Sequence, residues 1–215
     1  MTVKVKICGL TRPEDAERAV AAGASYLGVV FAGGPRQVSF ARAAAVVSAS
    51  RGVPVLGVFG EQSVQEILSL CRNARLSGAQ LHGPYHREAA ARLRAAGLIV
   101  WRVVRIASPA DLDRLGEATL DANSVLVEPR VPHLDGGSGV PLDLAIAIEA
   151  RSRLAGVPMA LAGGLTPESV AAAVALVRPD VADVSSGVEV LPGIKDHEKI
   201  ARFLEAVLGP SPTVG

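Results

Sequence analysis

Short apolar stretches alternate along the chain with segments in which small apolar residues recur every three or four positions. The short stretches are rich in Val, Leu and Ile, as buried strands are. The segments between them are typical of helices that bury one face, and one of them places Ala16, Ala19, Val20 and Gly23 at helical spacing. The pattern predicts strands over residues 3–7, 26–31, 53–59, 78–82, 98–104, 124–128, 157–162 and 181–185.

Two of the predicted helices carry residues typical of a helix start. Thr11 and Glu14 have the spacing of a capping box, in which each side chain accepts a hydrogen bond from the backbone N–H of the other residue. Thr166 followed by Pro167 predicts an N-cap with proline at the first helical position. We therefore expect helices to begin at these two positions.

Eight strand–helix units predict the α/β class with a parallel sheet, because consecutive parallel strands need a crossover connection, which is right-handed. We expect a single-domain (β/α)8 TIM barrel of eight parallel strands over residues 1–208, followed by a frayed C-terminal tail at 209–215. An open doubly wound sheet is the alternative. It usually has a glycine-rich turn after its first strand, where this chain has Cys-Gly-Leu-Thr.

Composition limits the functions that such a barrel can have. The 215 residues carry a net charge of +1, with acidic and basic side chains mixed along the chain, and only 3% are aromatic. A nucleic-acid partner is not expected, since it requires a basic patch and stacking rings. No apolar run approaches the roughly 18 residues of a membrane span, and the start of the chain lacks the layout of a signal peptide. We expect a cytoplasmic protein with no membrane partner.

One of the two cysteines, Cys8, directly follows the first predicted strand. Because side chains alternate along a strand, Val5 and Ile7 face the helices, whereas Lys6 and Cys8 face the barrel interior. Cys8 then lies at the carboxyl rim, where barrel enzymes hold their reactive groups, and Lys6 would favour its thiolate. A buried structural cysteine also fits this position, and we prefer that interpretation for Cys71 within a predicted helix.

Loops rich in glycine and serine follow the last three strands. Glycines allow backbone N–H groups to approach an anion, and the loops after strands seven and eight of this fold often bind phosphate. A helix beginning within the loop after strand seven would add its dipole. We expect a phosphate site here, although each loop alone also fits a tight turn. The candidates are Gly163 and Gly164 after strand seven, Ser185, Ser186 and Gly187 after strand eight, and Gly137 after strand six.

Charged residues at other strand ends supply candidate acids and ligands. Glu128 ends strand six with the parity of Leu126, so it is either an inward proton-transfer group or a solvated strand end. Arg36, in the loop after strand two, is suited to hold a carboxylate bidentately, or lies on the surface. Asp183 precedes the Ser-Ser-Gly loop and suits a ligand hydroxyl or amine, or the amides of the loop itself.

Five segments, K-I-C-G-L-T, G-A-Q-L-H-G, D-G-G-S-G, L-A-G-G-L-T-P-E-S-V and D-V-S-S-G-V-E-V-L-P-G-I-K-D, together resemble the phosphoribosylanthranilate isomerases of tryptophan biosynthesis. They occur in the order of that family, so the resemblance spans essentially the whole chain. It implies an Amadori rearrangement of N-(5-phosphoribosyl)anthranilate to 1-(2-carboxyphenylamino)-1-deoxyribulose 5-phosphate, an aldose–ketose isomerisation without cofactor or metal.

The resemblance also implies a role for each candidate side chain. A cysteine after strand one is the general base that removes the proton from ribose C2, and Cys8 matches it. An acid at the end of strand six protonates the ring oxygen, and Glu128 matches that position. The residues that match the substrate pocket are Arg36 for the anthranilate carboxylate, His82 and Asp183, and the amides around Gly164, Ser186 and Gly187 for the phosphate.

Glu128 departs from the family pattern, in which the acid on strand six is normally aspartate after two leucines. This chain has Val-Leu-Val-Glu at the same place. The extra methylene moves the carboxyl group outward. Either the site has adjusted around Glu128, or another acid serves, or the activity is weak. Asp135, in the following loop, is the alternative acid.

Four other functions fit parts of the pattern. The related histidine-pathway aminoaldose isomerase has aspartate in place of Cys8, and a metal-dependent pentose-phosphate epimerase needs several ligands at strand ends, of which His82 is one. A Schiff-base aldolase needs a lysine, and Lys4 and Lys6 both lie low in the barrel. A catalytically weak or dead phospho-ligand-binding barrel is the alternative without an enzyme function. The expected partner is a small phosphorylated molecule, and the protein is a monomer or a homodimer.

Overall fold

A closed barrel of eight parallel strands forms the centre of the computed structural model, which describes residues 2–130, 140–154 and 156–209. The strands are β1 (Lys4–Ile7), β2 (Tyr26–Val30), β3 (Val55–Phe59), β4 (Gly78–Leu81), β5 (Ile99–Ile106), β6 (Ser124–Pro129), β7 (Met159–Leu161) and β8 (Val181–Val184). β1 pairs with both β2 and β8, which closes the sheet. The predicted (β/α)8 barrel is confirmed. Residues 210–215 of the predicted tail lie outside the described residues.

A helix outside the barrel follows each of the eight strands along the chain. These helices are α1 (Pro13–Ala21), α2 (Phe40–Ala49), α3 (Val64–Ala74), α4 (Arg87–Ala95), α5 (Leu115–Ala118), α6 (Leu144–Arg153), α7 (Val170–Val177) and α8 (His197–Leu208). The short α5 follows a 3-10 helix, Pro109–Arg114, that takes up much of the β5–β6 connection. Within the described ranges, no helix has the length and apolarity needed to cross a bilayer.

The structure contains a two-stranded antiparallel hairpin between β8 and α8 that the sequence did not predict. It consists of β9 (Glu189–Leu191) and β10 (Ile194–Lys195), and its register places Glu189 opposite Lys195. Gly193 in the connecting turn has a φ of +83°, which glycine adopts without strain. Strands of two and three residues are too short for the alternation of side chains to reveal them.

The apolar residues form two layers on either side of the sheet. Val5 and Ile7 belong to the larger layer between strands and helices, as their alternation predicts. Inside the barrel, Trp101 is only 2% exposed and packs edge-to-face on Tyr26 with ring centroids 5.2 Å apart. Leu126 belongs to this inner cluster. The cluster fills the barrel below the carboxyl rim, so the open space lies above it, at the rim.

Both predicted helix caps are wrong. α1 begins at Pro13 with Arg12 as an N-cap that makes no side-chain cap bond, because the Thr11 hydroxyl donates instead to the carbonyl oxygen of Gly193 in the hairpin. α7 begins at Val170 rather than Pro167, since residues 167–169 form a turn in which the Ser169 N–H donates to the Thr166 carbonyl. The dipole of α7 is therefore not directly at Gly164.

Asp15 connects α1 to the C-terminal part of the chain. Its fully buried carboxylate accepts hydrogen bonds from Arg12 Nη2 at 2.6 Å and the Lys195 backbone N–H at 3.2 Å, and lies 2.9 Å from His197 Nε2. Burial alone would raise the pKa of Asp15, but the contacts with Arg12, His197 and Lys195 hold it below the ordinary value. The charged form of Asp15 therefore stabilises the fold.

Asp15→Asn is expected to lower the free energy of unfolding by about 2 kcal/mol at pH 7, because the amide loses charge-assisted hydrogen bonds. The stabilisation by Asp15 is fully present above the unfolded pKa of about 3.9 and is lost as the pH falls through the lower pKa of the folded state. Urea denaturation of both proteins at pH 7 and at pH values below about 4 should show a difference that shrinks in acid.

The matched control is Asp113→Asn, which removes one partner of an exposed ion pair with Arg153. It should change stability by less than about 0.5 kcal/mol at either pH. An Asp15→Asn loss that stays constant in acid would contradict the assignment of the stabilisation to the carboxylate charge.

Candidate active site

A cleft of about 320 Å³ opens at the carboxyl ends of the strands. This volume is within the range of small-molecule sites. Every candidate residue in the described part of the chain lines this cleft, whereas Gly137 and Asp135 lie outside the described residues. The lining candidates are Cys8, Arg36, His82, Glu128, Gly163, Gly164, Asp183, Ser185, Ser186 and Gly187.

Cys8 lies above a buried ion pair between β1 and β8. The sheet register places Lys6 opposite Asp183, and Lys6 Nζ donates to Asp183 Oδ1 at 2.8 Å. Gly28 on β2 leaves room for this arrangement, because a Cβ atom there would lie 2.8 Å from Cys8 Sγ and 3.2 Å from Lys6 Nζ. Asp183 therefore contacts a protein ammonium group, rather than the amides of its own loop.

Lys6 favours the Cys8 thiolate, as expected, but the burial of the thiol outweighs this effect. Burial raises the pKa of the Cys8 thiol above its ordinary value, and Lys6, which acts in the opposite direction, is already paired with Asp183. Burial likewise opposes the charge on Lys6, but Asp183 and Cys8 raise the pKa of Lys6 above its ordinary value. Lys6 is therefore an ammonium group, which argues against a Schiff-base aldolase because that chemistry needs a neutral amine.

Glu128 is a buried carboxylate held by one residue on β5 and one residue directly after β4. Arg105 lies opposite Glu128 in the β5–β6 register, and its Nε donates to Glu128 Oε1 at 3.1 Å. His82, directly after β4, places Nε2 2.8 Å from the same oxygen. Burial raises the pKa of Glu128, but His82 and Arg105 hold it below the ordinary value. Glu128 is thus an inward, ionised group rather than a solvated strand end.

The two glycine loops after β7 and β8 meet at the rim. Gly187 permits this contact, because a Cβ atom there would overlap the carbonyl oxygen of Leu165 in the neighbouring loop. Gly164 has a φ of +62° and lies in the left-handed region. The two loops bring backbone amides to the same edge of the cleft, which is the arrangement that an anion needs.

Arg36 does hold a carboxylate, but this carboxylate is the side chain of Glu189. Arg36 Nε lies 2.9 Å from Glu189 Oε1, and Nη2 lies 2.7 Å from Oε2. The bond is bidentate, and Arg36 still lines the cleft. The alternative of a free surface arginine is therefore wrong.

Several polar residues at this site are not among the candidates that the sequence suggests. Gln80 is only 3% exposed and lines the cleft, and its Oε1 has no hydrogen-bond partner in the described part of the chain. Its signal was present, since Gln80 precedes His82 by two residues and shares its inward face. Arg105 lies one residue beyond the predicted end of strand five. Glu189 and Lys195 lie on the hairpin.

A metal centre has little support in the described residues. No group of three or more His, Cys, Asp or Glu side chains suited to a metal ion occurs among them. The imidazole of His82 contacts Glu128 and Arg105 instead. A metal-dependent epimerase would need such a ligand set at the strand ends, so this part of the chain does not favour it.

The cleft at the rim of the closed barrel combines an inward thiol, a buried carboxylate and two glycine loops. This combination of fold and site defines a (β/α)8-barrel enzyme. A sequence model of the N-(5'-phosphoribosyl)anthranilate (PRA) isomerase family matches residues 5–206. The chain belongs to this family. The resemblance found from its motifs is thereby confirmed, together with the predicted class of an isomerase of tryptophan biosynthesis.

Relatives support the family over the full length of the chain. N-(5'-phosphoribosyl)anthranilate isomerase of Acidithiobacillus ferrooxidans is 38% identical, with 96% of this chain and 98% of that protein covered. The enzyme of Symbiobacterium thermophilum is 41% identical, with 95% and 98% covered.

Solved structures of the family share the fold. Phosphoribosyl anthranilate isomerase of Thermotoga maritima has a TM-score of 0.87 at 33% identity, with 97% of this chain and 100% of that chain covered. Another structure of the family, in complex with reduced 1-(o-carboxyphenylamino)-1-deoxyribulose 5-phosphate, has a TM-score of 0.84 at 32% identity, with the same coverage.

Alkylation of Cys8 by iodoacetamide is expected to be slow at neutral pH and to accelerate with a midpoint above about 8.5, the pKa of a free cysteine, because the raised pKa leaves little thiolate. Peptide mass spectrometry over a pH series measures the rate at each cysteine. Cys71 is the internal control: burial on α3 raises the pKa of its thiol to about 12, and because it does not line the cleft, as Cys8 does, it should be labelled more slowly than Cys8. Fast labelling of Cys8 that does not change between pH 6 and 9 would show a stabilised thiolate instead.

Proposed function

We propose that the protein catalyses the Amadori rearrangement of N-(5-phosphoribosyl)anthranilate to 1-(2-carboxyphenylamino)-1-deoxyribulose 5-phosphate, with Cys8 as general base and Glu128 as general acid. The observation that carries the proposal is that Cys8 and Glu128 share one cleft with the two glycine loops. Membership of the family supports the same reaction.

Ring opening is the first half of the reaction. The C1–O bond of the ribose breaks while the nitrogen lone pair forms a C1=N bond, and the ring oxygen takes a proton. Glu128 supplies this proton from its position at the end of β6, where His82 and Arg105 orient its carboxyl group. Because an alkoxide leaving group is a strong base, protonation of the ring oxygen lowers the barrier.

Proton transfer from C2 to C1 is the second half. The Cys8 thiolate removes the C2 proton, and the electron pair moves through a new C1=C2 bond to the nitrogen. The enol then loses its hydroxyl proton while C1 gains a proton, which leaves a ketone at C2. The hydrogen count of the molecule is unchanged, so the proposed mechanism needs no oxidant, reductant or cofactor.

In the resting enzyme, the protonation states of Cys8 and Glu128 are the reverse of those that these steps require. Burial keeps Cys8 protonated, whereas His82 and Arg105 keep Glu128 ionised. The reactive pair of thiolate and carboxylic acid contains the same number of protons in the opposite distribution. The mechanism therefore requires a proton to move from the Cys8 side of the cleft to Glu128, with no net uptake from solvent.

The two charged ends of the substrate fit two ends of the cleft. Backbone amides around Gly164, Ser186 and Gly187 bind the phosphate, because the two glycine loops contact each other and line the same cleft. Arg36 binds the anthranilate carboxylate from the loop after β2. His82 and Asp183 complete the pocket, and both act mainly by orienting Glu128 and Lys6.

We further propose that residues 1–208 form the (β/α)8-barrel catalytic domain, and that the protein works in the cytoplasm as a monomer or a homodimer on this small phosphorylated substrate. The Thermotoga maritima enzyme is dimeric, and one of its solved structures is of monomers generated from it.

Cys8→Ala is expected to lower kcat by about 10²- to 10⁴-fold, the usual contribution of a general base. Chromatography of the product measures kcat. The affinity for the reduced product and the melting temperature should stay close to the wild-type values, because only the proton acceptor is removed.

The control is Cys71→Ala on α3, which should keep its kcat. If Cys8→Ala retained the wild-type kcat, Cys8 would have no part in the chemistry. If the wild-type protein bound the reduced product but did not turn over the substrate, the chain would be a phospho-ligand-binding barrel.

Glu128→Gln is expected to lower kcat by about 10²- to 10⁴-fold, because the amide cannot donate a proton to the ring oxygen as an acid does. Glu128→Asp should lower kcat by about 10- to 100-fold, because the shorter side chain cannot keep the contacts of 2.8 Å to His82 and 3.1 Å to Arg105 while it reaches the substrate. Steady-state kinetics measures both variants. A Glu128→Asp enzyme faster than the wild type would show that glutamate is a handicap at this position.

A further inference from the structure

A buried ion pair, Glu189 with Lys195, lies directly behind Arg36 and has no part in the proposed chemistry. Lys195 Nζ donates to Glu189 Oε1 at 2.8 Å, and the two side chains are 0% and 5% exposed. Lys195 Nζ also donates to the carbonyl oxygen of Ser185 at 3.0 Å, and the Gly193 N–H donates to Glu189 Oε1 at 3.2 Å. Buried charges this well bonded are held in one geometry.

The β9–β10 hairpin determines where this pair lies. Its register places Lys195 directly opposite Glu189. The hairpin is in turn attached to the first β–α connection, since the Lys195 N–H donates to Asp15 at 3.2 Å and Thr11 donates to the Gly193 carbonyl. Glu189 is thus held rigidly relative to the rim next to β1.

Arg36 uses only one edge of its guanidinium group on Glu189. Nε and Nη2 donate to the two carboxylate oxygens, and within the described part of the chain Arg36 forms hydrogen bonds with Glu189 alone. A guanidinium carries five N–H donors, so both Nη1 protons and one Nη2 proton remain. These protons form the end edge of the group, which has the geometry to bind a second carboxylate bidentately.

We propose that Glu189 is a positioning residue that directs the end edge of Arg36 to the anthranilate carboxylate and thereby makes the enzyme selective for a carboxylated aryl amine. The inference rests on the proposed function, in which Arg36 binds that carboxylate. Lys195 holds Glu189 in place through its hydrogen bond to Oε1.

The ionisation of Glu189 is consistent with this role, whereas burial lowers the pKa of Lys195 despite its contact with Glu189. Burial raises the pKa of Glu189, but Arg36 and Lys195 hold it below the ordinary value. Glu189 is therefore charged in neutral solution and keeps both bonds to Arg36. The opposite role, in which Glu189 competes with the substrate for Arg36, predicts tighter binding of the carboxylated ligand when Glu189 is removed.

Glu189→Asp tests the proposal, because it keeps the charge and shortens the side chain so that it cannot reach Arg36 and Lys195 together. The two probes are reduced 1-(o-carboxyphenylamino)-1-deoxyribulose 5-phosphate and the same compound without its carboxylate. Calorimetry gives the ratio of their Kd values, which should be roughly 10- to 100-fold in favour of the carboxylated probe in the wild type. In Glu189→Asp this ratio should fall about tenfold, while the Kd of the decarboxylated probe changes by less than about threefold.

A second variant, Glu189→Gln/Lys195→Met, replaces both members of the ion pair by uncharged side chains of similar length. The ratio of the two Kd values should also fall in this variant. The loss of the bond from Lys195 to Ser185 affects both probes equally, because both carry the phosphate. Arg36→Met should abolish the preference, and adding Glu189→Asp to it should change the ratio no further. The matched control is Glu168→Gln, which breaks an exposed pair with Arg202 and should leave the ratio unchanged.

Three results would overturn the inference: a ratio in either folded Glu189 variant within about twofold of the wild type, a ratio that rises, or a preference that survives in Arg36→Met. Failure of the proposed function is distinct, because the wild-type protein would then not turn over the substrate, whether or not it bound the two probes. A purely structural role of Glu189 would weaken the binding of both probes equally and leave their ratio unchanged.

Discussion

The ion pair between Lys6 and Asp183 across the β1–β8 closure is the interaction on which the active site depends. Both groups are buried, so either charge alone would be strongly unfavourable, and the register that brings them together is correspondingly well defined. Cys8 and Ser185 follow these residues by two positions on the same inward faces. Closure of the barrel therefore places the thiol next to the loop after β8, although the two lie almost the whole chain apart.

The remaining charges of the cleft follow the same principle. Glu128 is bonded to Arg105 in the neighbouring strand, and Glu189 is bonded to Arg36 and Lys195. Each acidic side chain has a cationic partner supplied by strand or hairpin register rather than by mobile surface chains. Groups held in this way do not need to reorganise when charge develops on a substrate, which is the main electrostatic advantage of an enzyme site over water.

Glutamate in place of the usual aspartate on β6 has a physical explanation in this setting. His82 and Arg105 both contact the same carboxylate oxygen of Glu128, so the longer side chain is held on two sides rather than extended into solvent. The departure is visible in the sequence. Whether glutamate disturbs the site depends on Arg105. Alternation along β5 places Arg105 inward, but this can be seen only once the strand is known to continue to Ile106.

The amino-acid sequence by itself determined the barrel, the family and many of the side chains that line the cleft. Strand–helix alternation and side-chain parity are local properties, so they reveal which face Lys6, Cys8 and Glu128 occupy. Only the tertiary structure decided the partners and the protonation of these groups. Arg36 meets Glu189 from 153 residues away, and the thiol of Cys8 stays protonated because burial outweighs a lysine already paired with Asp183. Hydrogen-bond partners and desolvation depend on the packing of distant segments, which the spacing of residues along one strand does not contain.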